Sequence, residues 1–228
     1  MEIRGATLDT CSHTTGTAVV IDVIRAFTTA AFAFAAGAQD ITLVGTVHDA
    51  FALRRRAPGA LIMGEVNSLP VKGFDLDNSP SALIGLDLAG RRLIQRTSAG
   101  TQGVVLSARA DTILATGFCC AGATARYIAK LSPQTLTFVM TAICPEDEGD
   151  EDVACADYLQ ALLMGKEPDA NWFIQRVRRS SAGRLFGDSS YPQFPAPDLE
   201  CCVDVDRFDF AMPVKRRDGL LVMQAVRP

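Results

Sequence analysis

TAVVIDVIRAFTTAAFAFAAG, residues 17–37, joins two hydrophobic patterns that together set the fold class. Residues 17–22 are β-branched and apolar and end in a carboxylate, as a fully buried strand does. Residues 26–36 are rich in Ala and Phe and are closed by Gly37, as a helix is. A buried strand running directly into a helix is the unit of an α/β sheet.

The same alternation continues outward. Strands are expected at 41–44, 61–63, 92–97, 112–116 and 135–143. Helices are expected at 47–56, with a basic end, after the SAGTQG turn at 98–103, from GFCCAGATARYIAK at 117–130, and at 153–164. Residues 65–80 have no periodicity and carry Pro70, Gly73, Asn78 and Pro80, the marks of a long loop of the kind that often serves function. Residues 189–197 read as an ordered loop, and 201–205 and 220–226 as late strands. The expected architecture is three-layer α/β: a mixed, mostly parallel sheet flanked by helices, with an antiparallel edge for the late strands. The 228 residues fit a single domain or two closely packed subdomains.

Composition narrows the partners. Apolar residues make up 48% of the chain, which argues for a large core. With 22 Lys plus Arg against 26 Asp plus Glu the net charge is −4, which gives no global attraction to nucleic acid. The longest apolar stretch is interrupted by Asp22 and Arg25, so no membrane span is expected. Seven Cys without a Cys-x-x-Cys spacing or a signal peptide read as free thiols in the cytoplasm. His13 and His48 are too isolated to build a multi-His metal site.

Ligands bind beyond the carboxyl ends of strands in such sheets. Asp22 and Arg25 follow the first strand, Gly64 and Glu65 the third, and Thr97, Ser98, Gly100 and Thr101 the next. The acidic run 146–152 follows the strand at 135–143. If these strands are parallel, the four groups share one rim. Asp22, Glu65 and Asp152 then suit a hard cation such as magnesium, which takes oxygen ligands and can orient an attacking water. The turn 97–101 reads either as an anion site or as an ordinary Ser/Thr helix cap. Asp22 reads either as a ligand or as a strand-end partner of Arg25, and the acidic run either as ligands or as a solvated helix start.

Three segments resemble the 2-phosphosulfolactate phosphatase family: VVIDVIRAFTTAAFAFAAGA at 19–38, GEVNSLPVKGFDLDNSP at 64–80 and RTSAGTQG at 96–103. EDVACADYL at 151–159 and PDLECC at 197–202 are similar to it more weakly. The resemblance implies a ComB-like phosphatase fold, magnesium, and hydrolysis of 2-phosphosulfolactate to sulfolactate and phosphate, a step towards coenzyme M. On the first reading, a phosphomonoester hydrolase, Asp22, Arg25 and Glu65 are the expected catalytic residues, with Asn78, Ser79, Thr97, Ser98, Gly100 and Thr101 on a small anionic substrate. It leaves room for a homodimer. The family tends to have Asn where this chain has Ala99, which keeps the backbone amides and hydroxyls but removes an amide side chain. A binding protein that has lost catalysis is the rival reading. A Rossmann-type nucleotide enzyme is disfavoured, because no Gly-x-Gly-x-x-Gly turn follows the first strand. For the nucleophile, a metal-oriented water and a carboxylate such as Asp22 both stand open.

Overall fold

Strand β2 (Thr17–Ile21) alternates its side chains between two cores. Ala18 and Val20 join one apolar cluster, and Val19 and Ile21 join another. A strand buried on both faces must be interior to a covered sheet. The structure, a computed structural model, describes residues 1–141 and 150–228.

Around β2 the chain lays down β1 (Glu2–Thr7), α1 (Ala26–Ala35), β3 (Asp40–Leu43), α2 (Val47–Arg56), β4 (Leu61–Gly64), β5 (Leu76–Asp77) and β6 (Arg92–Arg96). Then follow α3 (Gly100–Leu106), β7 (Thr112–Thr116), α4 (Ala121–Leu131), β8 (Thr135–Met140), α5 (Asp150–Leu163), α6 (Ala170–Arg179), α7 (Ala196–Cys202), β9 (Met212–Arg217) and β10 (Leu220–Met223). One ten-stranded sheet has the order β1-β8-β2-β7-β9-β10-β3-β6-β4-β5. Helices cover both faces. α1 packs in the cluster of Ala18 and Val20, while α4 and α5 pack in that of Val19 and Ile21. Ala50 of α2 packs on Ile62 and Ile94. The three-layer, mostly parallel α/β architecture is as expected.

Two expectations are corrected. Residues 201–205 do not form a strand, because Cys201 and Cys202 end α7. Pro197 near the start of α7 favours the helix, and Leu199 and Cys202 bury one face of it. The antiparallel pair is also central, not at the edge. β9 and β10 form a hairpin that pairs β9 with β7 and β10 with β3. Three antiparallel pairings thus separate β7 from β3, so the parallel block β1-β8-β2-β7 runs opposite to the parallel block β3-β6-β4-β5. A buried hairpin with Met212, Val214 and Met223 in the main core is what joins two blocks of opposite direction. β1, α6 and β9 were not foreseen. β1 is an exposed edge strand, and β9 ends in Lys215, Arg216 and Arg217, which mask its apolar first half.

Candidate active site

Opposed blocks cannot bring all four strand ends to one rim, and the convergence has another cause. The ends of β2 and β8 share one side through their parallel pairing, and those of β4 and β6 share another. Helix α3, leaving β6, packs on β2 and closes the gap. Gly100 at its start lies so close that an added Cβ would sit 2.7 Å from both Asp22 Oδ2 and the Ala26 Cβ. Only glycine permits that approach.

Asp22 is the centre of the arrangement. It is buried, and its Oδ1 accepts the Ala26 N–H at 2.9 Å at the opening of α1, where the helix dipole favours an anion. Burial, with the charges of Glu65 and Glu151 adding to it, pushes its carboxyl up to about 6; the Ala26 and Gly100 amides work in the opposite direction.

Glu65 follows Gly64, whose backbone (φ 130°) passes so close to the next strand that a Cβ would lie 1.9 Å from the Arg96 carbonyl oxygen. Its carboxylate is an acceptor hub. Oε1 accepts from the Ser98 amide, and Oε2 from the Ser68 amide and the Ser98 hydroxyl. Glu65 therefore clamps the loop after β4 to the turn after β6.

In that turn, the Thr101 amide donates to Thr97 Oγ1 at 3.0 Å, the Thr97 amide to Thr101 Oγ1 at 2.9 Å, and the Thr101 hydroxyl to the Thr97 carbonyl. Both side chains are buried. The hydroxyls of Thr97 and Thr101 are engaged as a local cap, and that of Ser98 lies between the Asn67 amide and Glu65. What the turn presents to Asp22 is its backbone at Gly100.

Arg25 does not pair with Asp22. Its Nη1 donates to Asp198 Oδ2 at 2.7 Å and to the Gln193 carbonyl at 2.9 Å. The guanidinium lies over the rings of Phe186 and Phe194, 5.5 and 5.1 Å from their centroids. Asp198 is fully buried. Its other oxygen accepts from the Ser79 hydroxyl at 2.8 Å and from the amide and hydroxyl of Ser81. One carboxylate thus ties Arg25 to the end of the long loop. Beside it opens a pocket of about 210 Å³ bordered by Arg25, Glu65, Asn78, Ser79 and Gln193. Asn78 is buried there, and its Oδ1 has no hydrogen-bond partner, a cost that a bound donor or cation would relieve.

Asp152 lies not in a connection but in the first turn of α5. Its Oδ1 accepts the Val23 amide at 2.9 Å and its Oδ2 the Thr141 amide at 3.0 Å. It stitches the turn after β2 to the end of β8 and so sets the position of Asp22. The α5 carboxylate whose charge reaches Asp22 is its neighbour Glu151, also buried. Residues 146–149 of the acidic run lie outside the described residues. His13 and His48 are exposed. Sequence reasoning missed Glu151 and Asp198. Both sit in segments it had singled out, at 151–159 and 197–202, but neither has a local pattern of its own.

Comparison with known proteins identifies the family. The family model described as 2-phosphosulpholactate phosphatase matches residues 6–216. A probable 2-phosphosulfolactate phosphatase of Bacillus subtilis is 37% identical over 88% of this chain and 87% of its own. One from Carboxydothermus hydrogenoformans is 31% identical over 92% and 90%. One from Synechocystis is 30% identical over 90% of each.

Proposed function

From the membership of this chain in the 2-phosphosulpholactate phosphatase family, we propose that it is a phosphoric monoester hydrolase acting on a small acidic phosphomonoester, 2-phosphosulfolactate first, with magnesium. The observation that carries the reading is a buried Asp22 at the start of α1, within reach of the charges of Glu65 and Glu151, with Glu65 also lining a pocket that holds Arg25 and the unpartnered Asn78 Oδ1.

Several carboxylates around one buried Asp repel each other unless a cation joins them. Among the described residues no three His, Cys, Asp or Glu side chains form a metal cage. Magnesium does not need one, since it is commonly held by one or two carboxylates, water and substrate oxygens. Asp22 and Glu151 are the ligands this reading assigns. Glu65 and Asp152 hold the frame. When bound, magnesium neutralises phosphate charge and activates a water.

The chain's own residues do the rest. Arg25, fixed by Asp198 and by two aromatic rings, presents its remaining donors to an anionic group of the substrate. The amides opening α1 and the Gly100 backbone favour negative charge beside Asp22. A pocket of about 210 Å³ has room for a three-carbon acid. Among the described residues six cysteines are buried and unpaired, which fits a reducing cytoplasm, and no described helix is long and apolar enough to cross a membrane.

The test is phosphate release from a panel of phosphorylated hydroxy acids, with chelator and after magnesium is restored. Turnover of 2-phosphosulfolactate that chelator abolishes and magnesium restores is expected. Undiminished turnover in chelator would remove the metal, and absence of turnover on every ester would favour a binding protein.

A further inference from the structure

At the opposite end of the β3-β6-β4 block lies a second cavity, of about 490 Å³. Asp40 and Arg92, the first residues of β3 and β6, line it, whereas Glu65 follows the last residue of β4, which is parallel to β6. The two cavities are therefore separated by the length of the strands.

Strand parity builds its floor. Ile41 and Leu43 face the main core, so Asp40 and Thr42 face the other way, and Ile94 and Val222 lie on that same outer face. Leu53, Ala57 and Ala60 from the region of α2 form one wall. The result is a slot with apolar sides between a helix and a sheet.

Cations from three separate segments crowd this end. The chain is net −4, yet eight of its 22 basic residues lie at 54–56, 91–92 and 215–217. Arg56, Arg92 and Arg217 line the slot itself together with the carboxylates of Asp40 and Asp218, which leaves one positive charge in excess. Arg56 is exposed and makes no ion pair among the described residues. Arg92 stays 64% exposed although Asp40 lies 3.7 Å away. Arg217 is held by a neutral partner, Gln224, at 2.8 Å.

We infer that this slot binds a nucleoside polyphosphate. Three guanidinium groups in one lining, one more than Asp40 and Asp218 together offset, suit a polyphosphate, whose oxygens pair with the arginine fork two at a time. The apolar slot takes a flat heterocycle, and its volume lies within the usual range for ligand pockets, about 300–1,000 Å³. A single concave site does not suit a nucleic-acid strand, which needs a basic track. The inference does not rest on the phosphatase reading.

The test is calorimetric titration of the full chain with ATP, in chelator and at about 0.15 M salt, where weak surface attraction is screened. Adenosine and inorganic phosphate serve as comparisons. ATP should bind at submillimolar Kd, and each comparison at least about tenfold more weakly. Arg56→Gln and Arg217→Gln, both on the surface, should each weaken ATP about tenfold, the usual loss of one charged hydrogen-bond partner. Asp22→Asn should leave ATP binding unchanged. No binding up to about 5 mM ATP, or equal affinity in the two Arg variants, would overturn the inference. So would an Arg variant that changes the sedimenting mass without affecting nucleotide, since the face would then be a subunit contact.

Discussion

Replacing Asp22 by Asn tests whether this carboxylate is held at a cost to the fold. Its carboxyl is raised from an ordinary 3.8 to about 6, chiefly by burial and then by Glu65 and Glu151. The folded chain therefore binds this proton more tightly than the unfolded chain does. The fold is at its best, for this group, below about pH 4; stability falls as pH rises towards 6 and stays lower above it. A displacement of about two units corresponds to about 3 kcal/mol. The Asn oxygen still accepts the Ala26 amide, but its NH₂ end cannot accept from Gly100, which returns about 1 kcal/mol. In chelator at pH 8, Asp22→Asn should thus be more stable than the parent by about 2 kcal/mol, or about 4–8 °C in Tm for a chain of this size. The same variant should lose phosphate release with magnesium present. The assay is thermal and urea unfolding from about pH 4 to 8. The two proteins should converge at the acid end. An Asn variant that is less stable at pH 8, or a gap that does not close on acidification, would refute the reasoning.

Arg25→Lys keeps the charge but loses the fork and the stacking on Phe186 and Phe194, so KM should rise about tenfold or more; unchanged KM and unchanged inhibition by free phosphate would take Arg25 out of the site. Asp198→Asn leaves a buried guanidinium without its counter-charge, and should cost about 3–5 kcal/mol in urea unfolding together with a higher KM; normal values of both would show that the 186–198 segment does not position the pocket. Gly64→Ala places a Cβ against the Arg96 carbonyl in a backbone region unsuited to side chains, and should destabilise by about 3 kcal/mol or more; a melting temperature equal to the parent's would contradict the close approach.

Much of the fold is local and was legible. The helix at 47–56 was read to the residue from its basic end, and the structure adds that Thr46 caps its start. β2 and α1 were read from composition alone. α7 was misread because Leu199, Cys201 and Cys202 sit in too short a run for a period to emerge. Of the candidate site, Asp22, Arg25, Glu65 and the 97–101 turn were expected at strand ends, but several of the groups they contact were not. Arg25 lies three residues from Asp22 in sequence yet pairs with Asp198, 173 residues away.

The sequence by itself determined the α/β class, the order of most elements and the family, because these depend on patterns within a dozen residues and on motif identity. Only the tertiary structure decided that the two parallel blocks run in opposite directions. That depends on which strands the late hairpin joins, and a hairpin's own residues do not state its neighbours. Only the tertiary structure distinguished Glu151 from Asp152. Adjacent residues on a helix point about 100° apart, and the packing of α5 against β2 and α4 sets its rotation, so the charge of Glu151 reaches Asp22 while Asp152 accepts from the backbone at Val23 and Thr141.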